Sequence, residues 1–214
     1  MKLWSILLML ILLLTINSTL LAQDEDEARD LLEICVYGGV GSPMGNLSDW
    51  HDSLGAKLGW SLGVDFGYFM MPSLVVGFNF QYTQFGIDGP AEVDGAHHRL
   101  YNPNLFAKYY FSGESDFEPY IKGHVGIENP KFTTLLTGPK YRSVSYDASL
   151  AAGFGVGLFY YRTDYSGLFI EANYNYAATK DAQRVYAEET LDFVEDISVF
   201  DIHAGVRLLI GSGE

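Results

Sequence analysis

Two neighbouring runs of alternating residues, 60–68 and 74–83, constrain the fold of this chain more than any other feature. In each run, one face carries large apolar or aromatic side chains and the opposite face carries mostly small or polar ones. The bulky faces consist of Trp60, Leu62, Val64, Phe66 and Tyr68, and of Leu74, Val76, Phe78, Phe80 and Tyr82. Because side chains alternate with period two along a strand, these runs predict a β-hairpin that turns near Met70-Met71-Pro72.

The way the two faces are sorted distinguishes a soluble sandwich from a membrane barrel. A sandwich buries its bulky residues, whereas a membrane barrel turns them toward lipid and turns small or polar residues toward a narrow lumen. The small or polar face of the hairpin includes Gly63, Asp65, Gly67, Gly77 and Asn79. This sorting indicates a membrane barrel.

The first 22 residues predict export. A single positive charge at Lys2 precedes an apolar run from Leu3 to Leu21, and the small residue Ala22 suits a cleavage site. An uncleaved anchor helix is the alternative, because the run is long enough to span a bilayer. Asn17 to Thr19 interrupt the run and favour cleavage. We therefore expect a signal peptide at 1–22, an acidic periplasmic lead-in at 23–31 and one domain at 32–214.

The net charge of −14 argues against a nucleic-acid partner, which would require a basic patch. Cys35 is the only cysteine in the sequence, so it forms no internal disulfide. Its place in a strand pattern favours a small buried residue over a reactive thiol.

Six further alternating segments complete a set of eight strands, at about 33–41, 100–111, 120–127, 146–160, 168–176 and 200–210. The connections after the second, fourth and sixth strands are short and the others are long, as in bacterial outer-membrane barrels. The prediction is an all-β, eight-stranded antiparallel up-and-down transmembrane barrel with both termini periplasmic. Ten strands are the alternative if the connection before the sixth or the eighth strand contains another hairpin. In the connection before the sixth strand, the segments 132–136 and 141–146 are also able to prolong a hairpin beyond the membrane.

Several segments resemble the outer-membrane β-barrel domain family, the small barrels of the outer-membrane protein A and X type. They are the opening Val36–Gly45, the strand Gly59–Tyr68, the turn Met70–Leu74 and the glycine-rich sixth strand. The resemblance implies a monomer in the outer membrane of a Gram-negative-type bacterium. It also implies contact with outer-membrane lipid, lipopolysaccharide and the outer-membrane assembly machinery.

Three acids and three bases are predicted to share the inner face at similar depth in the periplasmic half: Glu33, Asp65, Glu171, Lys108, Lys122 and Arg207. An eight-stranded barrel is just wide enough for side chains to fill, and unpaired buried charge is costly. The balanced set favours a salt-bridged lumen over a gated or proton-conducting pore. We expect Arg207 between Glu33 and Glu171. We expect Asp65 between the two lysines, and Glu171 is also able to contribute there.

Catalysis by a lipid-modifying barrel would require a serine and a histidine oriented by an acid. The candidates are His97 and His98 with Asp94, His51 with Asp49, Asp52 and Ser53, and His203 with Asp201. None lies in a recognisable signature, so we predict no enzymatic activity. Two adjacent histidines without further ligands do not define a metal site, and no cofactor is predicted.

Five acids recur at helical spacing in the last long connection: Glu188, Glu189, Asp192, Glu195 and Asp196. This spacing predicts a short external helix with an acidic face. The face is either solvated or shares divalent cations with lipopolysaccharide phosphates. Overall, the sequence favours a structural or surface-contact barrel, with a narrow pore as the alternative and a lipid-modifying enzyme third.

Overall fold

The computed structural model describes residues 32–48, 55–87, 96–111, 116–135, 141–145, 148–163, 165–178, 184–186, 189–191 and 196–211. The predicted signal peptide and acidic lead-in lie outside these residues. Within the described part of the chain, no helix combines the length and the apolar character needed to cross a membrane.

Eleven strands and one 3₁₀ turn, Gly45–Leu47, make up the described structure. The strands are β1 (Leu32–Met44), β2 (Ala56–Met71), β3 (Leu74–Ile87), β4 (His97–Tyr110), β5 (Phe117–Leu135), β6 (Tyr141–Ser145), β7 (Ser149–Thr163), β8 (Ser166–Ala178), β9 (Arg184–Tyr186), β10 (Glu189–Leu191) and β11 (Asp196–Ile210).

Eight of these strands close into an antiparallel barrel in the order β4-β3-β2-β1-β11-β8-β7-β5, and β5 pairs with β4 to complete the ring. The predicted eight-stranded up-and-down barrel is confirmed. Leu32 at the start of β1 pairs with Ile210 at the end of β11. It also pairs with Tyr68, close to the short β2–β3 turn. We call this end of the barrel the turn end and the opposite one the loop end.

One connection differs in length from the sequence prediction, and another agrees with it. The connection between the strands predicted at 74–83 and at about 100–111 is shorter than those bounds imply, because β3 continues to Ile87 and β4 begins at His97. The β5 hairpin is prolonged as anticipated, since Lys131–Leu135 pairs with β6. A proline at position 103 supplies no N–H, and the β4–β5 ladder skips positions 102 and 103.

The predicted acidic helix is wrong where the structure describes it. Glu189 lies in β10, which pairs with β9 in a separate two-stranded hairpin outside the barrel. The two segments contain the β-branched and aromatic residues Val185, Tyr186 and Thr190, which favour strands. Asp196 begins β11, and its carboxylate accepts a hydrogen bond from the Tyr176 hydroxyl at 2.7 Å. The other three acids, Glu188, Asp192 and Glu195, lie outside the described residues.

Large apolar side chains cover the outside of the barrel and polar ones fill the inside. Leu105 and Leu150 are 65% and 69% exposed, whereas Asp65 is 1% exposed. This arrangement is the reverse of a soluble protein, and it identifies the barrel strands as membrane-spanning.

Aromatic residues mark the two borders of the apolar surface. Nearer the loop end, the Tyr82 ring lies 5.2 Å from that of Trp60 and 5.1 Å from that of Tyr101. Near the turn end, Phe117 and Tyr160 lie 5.0 Å apart. Such girdles occur where a transmembrane barrel meets the two membrane interfaces.

Glycines on the inner face make room for large lumen side chains. A Cβ atom added to Gly63 would overlap the Tyr37 ring, and one added to Gly157 would overlap the Tyr120 ring. Small residues on the inner face of the strands thus allow aromatic side chains to cross the lumen.

Candidate functional site in the barrel lumen

Two clusters of buried side chains fill the lumen near its ends. The cluster at the loop end is apolar and includes Leu47, Ala56, Phe85, Ala96, Leu100, Phe132, Ala151, Ala177, Ile197 and Val199. The cluster at the turn end is largely aromatic and includes Cys35, Tyr37, Val75, Phe106, Tyr110, Tyr120, Phe159 and Phe169. Buried Cys35 belongs to this second cluster and is a free thiol.

The structure brings the six predicted lumen charges into one connected network. Lys108 Nζ lies 2.6 Å from Glu33 Oε1 and 3.6 Å from Asp65 Oδ2. Lys122 Nζ lies 2.8 Å from the same Asp65 oxygen and 3.4 Å from Glu171 Oε1. The two lysines therefore share Asp65, the arrangement expected from the sequence. All these side chains are almost completely buried, so each charge depends on its partners.

Arg207 joins the network through different partners from those predicted. Its Nε lies 3.6 Å from Glu33 Oε2, and its Nη1 lies 3.7 Å from Glu118 Oε2. The expected contact with Glu171 is wrong. In the β8–β11 register, Arg207 faces Gly167, and Glu171 lies four residues farther along the strand opposite His203.

Two aromatic residues also hold the Arg207 side chain. Its guanidinium lies 3.9 Å from the Phe159 ring centroid, and its Nη2 donates to the Tyr161 hydroxyl at 3.3 Å. A guanidinium over an aromatic face gains electrostatic stabilisation from the ring quadrupole. The turn end of the lumen is thus closed by paired charge and stacked rings together.

A layer of buried amides separates the ionic network from the loop-end cluster, and sequence reasoning did not predict it. Its members come from β3, β4 and β8: Asn79, Gln81, Asn102, Asn104, Asn173 and Asn175. Asn79 Nδ2 donates to Asp65 Oδ1 at 2.6 Å, and Asn104 Nδ2 donates to Asn79 Oδ1 at 3.0 Å. The signal was available, because the amides occur in alternating pairs that share the inner face of each strand.

The catalytic candidates do not assemble into a triad in the described residues. His203 is completely buried, and its Nε2 lies 3.9 Å from Asp201 Oδ1. His98 is also buried inside the barrel, and His97 precedes it at the start of β4. The remaining candidates, at 49–53 and 94, lie outside the described residues. Within the described ranges, no group of three or more His, Cys, Asp and Glu side chains is placed to hold a metal ion.

Solved structures with the same architecture include three bacterial surface barrels. Neisserial surface protein A aligns with a TM-score of 0.57 and 19% identity, over 83% of this chain and 96% of that one. OprG from Pseudomonas aeruginosa aligns with a TM-score of 0.55 and 16% identity, over 87% of this chain and 98% of that one. Ail, the attachment invasion locus protein of Yersinia pestis, aligns with a TM-score of 0.51 and 16% identity, over 84% of this chain and 99% of that one. That structure is a complex with the heparin analogue sucrose octasulfate.

The chain has the fold of the small eight-stranded outer-membrane β-barrels. No family model matches its sequence, and no curated protein matches it either. The similarity is therefore one of architecture, and the role of the barrel has to be argued from its own residues.

Proposed function

We propose that this chain is an integral outer-membrane protein with a structural or surface-contact role, and that its lumen does not conduct. The observation that carries the proposal is the lumen filling. An apolar cluster lies at the loop end, and a buried ionic and aromatic network lies at the turn end. A barrel of this size has no spare width once side chains cross it.

The proposed orientation places the turn end and both termini in the periplasm and the loop end outside the cell. An exported chain leaves its termini on that side when the strand number is even, and long connections belong on the external side. Insertion by the outer-membrane assembly machinery follows from this location. The closed strand ring leaves no barrel edge for pairing with another copy, which supports a monomer.

Surface contact is the role that the long connections suit best. Loops held by a rigid scaffold are free to serve partners. The neighbour Ail is named for attachment and was crystallised with a sulfated heparin analogue. Our chain carries a net charge of −14, so a polyanion of that kind would be repelled. Lipopolysaccharide phosphates bridged by divalent cations to the acids near 188–196 are a more compatible partner.

Planar-bilayer recordings of the purified full chain test the closed lumen directly. We expect no discrete conductance steps, whereas an open porin reconstituted in the same bilayer gives them. Reproducible single-channel steps from this chain would overturn the proposal and favour the second candidate, a narrow pore for ions or small solutes. The amide layer is the feature that favours this second candidate, because its polar groups are able to line a path.

We also propose that the barrel is not an enzyme. His203 and Asp201 face the lumen rather than lipid, and both side chains are completely buried. Lipid A mass spectrometry compares a deletion strain with its parent. Identical spectra are expected, and loss of a specific acyl group in the deletion strain would contradict this proposal.

A further inference from the structure

Three hydrogen-bond donors lie side by side on the outer surface of β3, β4 and β5, near the loop end of the barrel. In the antiparallel register, Gln84 on β3 pairs with Arg99 on β4, and Arg99 pairs with Lys131 on β5. Directly paired residues project from the same face of a sheet, with Cβ atoms about 5 Å apart. All three side chains are partly exposed, whereas the adjacent Phe85 and Leu100 are buried in the lumen. We call Gln84, Arg99 and Lys131 the donor row.

The donor row lies just outside the aromatic girdle at the loop end. The girdle residues Tyr82 and Tyr101 are register partners, and each lies two residues nearer the turn end than Gln84 or Arg99 on the same strand. Two residues along a strand correspond to roughly 7 Å. Because girdle rings sit where the hydrocarbon meets the headgroups, the donor row faces the lipid headgroups.

Neighbouring side chains orient these donors and leave their N–H groups available. The Tyr82 hydroxyl donates to Gln84 Oε1 at 2.7 Å, so the amide nitrogen of Gln84 is left to donate elsewhere. Lys131 Nζ lies 5.0 Å from the centroid of the Tyr101 ring, on the side of the girdle. Arg99 Nε is shielded from solvent and has no hydrogen-bond partner among the described residues.

The two cations of the donor row repel each other. Neither Arg99 nor Lys131 takes part in a salt bridge within the part of the chain that the structure describes. Like charges directly opposite each other on neighbouring strands destabilise a sheet. An anion bound between them removes this repulsion. A phosphate suits the row, because arginine binds phosphate oxygens through two parallel N–H bonds.

We propose that the donor row binds the phosphate headgroup of a lipid in the external leaflet. The proposal rests on the proposed orientation, which places the loop end outside the cell. The acyl chains of the lipid would lie along exposed apolar residues of the same strands, such as Leu105 and Ile127. The net charge of −14 does not prevent this contact, because salt screens charges beyond about 8 Å at physiological ionic strength. Unlike a bridge to the acids near 188–196, the contact needs no divalent cation.

Binding of lipid A to the purified full chain in detergent, measured by native mass spectrometry with a chelator present, tests this proposal. Bisphosphorylated lipid A should bind, and its dephosphorylated form should bind much more weakly. Arg99→Gln and Lys131→Gln should each weaken binding of the phosphorylated form roughly tenfold, the order expected for one lost charge-assisted hydrogen bond. Arg162→Gln is the matched control, because it removes one exposed cation near the turn end and should bind like the parent.

Equal binding of the two lipid A forms would overturn the proposal, and so would unchanged binding by either donor-row variant. Inorganic phosphate at the same concentration should not displace lipid A. Displacement would mean that the row takes a free anion rather than a lipid. Weaker binding by Arg162→Gln alone would place the lipid at the turn end and contradict the proposed orientation. The substituted side chains are partly or fully exposed, so each variant should fold, which a heat-modifiability gel checks. The conductance test of the closed lumen is independent of these results.

Discussion

At the scale of single residues, the stability of this barrel depends on which side of a strand a charge occupies. Neighbouring positions differ completely in their surroundings. Phe80 on β3 is 39% exposed on the outer surface, whereas Gln81 is buried and donates to Asp201. The same substitution at these two positions therefore separates the lipid face from the lumen.

We expect Phe80→Lys to cost roughly 2–4 kcal/mol of folding free energy in a bilayer, the usual cost of a basic residue near its midplane. Gln81→Lys should cost much less, since the new ammonium is able to reach the Asp201 carboxylate, to which the Gln81 amide already donates at 3.2 Å. Urea unfolding in lipid vesicles measures both variants, with Phe80→Leu as the control for lost aromatic volume. Equal losses for the two lysine variants would mean that the strand register or the membrane location is wrong.

The buried Glu171 carboxylate depends on Lys122, because Lys122 supplies its salt bridge among the described residues. Lys122→Met should destabilise the barrel by about 3–5 kcal/mol, the typical effect of breaking a buried ion pair. Glu171→Gln in the same chain should restore much of that loss. The measurement is again urea unfolding. A loss below about 1 kcal/mol would indicate solvated charges and an open lumen.

At the scale of secondary-structure elements, the barrel strands and the β9–β10 hairpin have separate roles. The hairpin strands pair with each other and do not extend the barrel sheet. The neighbouring β8 and β11 pair directly from Asp196 and Ala178 onward. The register of the barrel is therefore fixed without the connection between them.

Shortening the chain within 180–195 should leave a folded barrel. The described part of this segment, the β9–β10 hairpin, makes no pairing with the barrel strands. Far-ultraviolet circular dichroism and the urea midpoint of the shortened chain should match those of the parent. An equally large deletion inside β8 is the destructive control. Failure of the loop variant to fold would show that the segment supplies a strand or an assembly signal that the barrel requires.

At the scale of the whole molecule, the inside-out sorting of side chains made the architecture predictable. The alternation is clearest at positions 60–83, and six further alternating segments complete the eight strands. The shared depth of Asp65, Lys108 and Lys122 followed from counting along each strand. Such counting works because alternation fixes the face and strand position fixes the depth.

The sequence did not predict the partners of Arg207, because these side chains meet across the lumen between strands that are distant in sequence. For the last long connection it predicts a short helix, where the structure has the β9–β10 hairpin. The β7–β8 and β2–β3 pairings shift register near Tyr161 and Phe69, and such irregularities change which residues meet across the lumen. Glu118 lies on β5, which is not adjacent to β11, so its contact with Arg207 crosses the lumen and cannot be read from strand neighbours. Asp201 on β11 likewise meets Gln81 on β3 only through contacts between strands that are distant in sequence.

Heat modifiability on a gel tests whether this chain closes into a membrane-inserted barrel. The full chain is refolded into detergent or lipid and run on a denaturing gel with and without boiling. We predict that the unboiled sample migrates at a different apparent mass, because the closed hydrogen-bonded ring resists detergent. Lys122→Met should lose this shift at a lower temperature than the parent. Identical migration of the boiled and unboiled parent, under conditions where a known outer-membrane barrel shifts, would show that the chain forms no closed barrel.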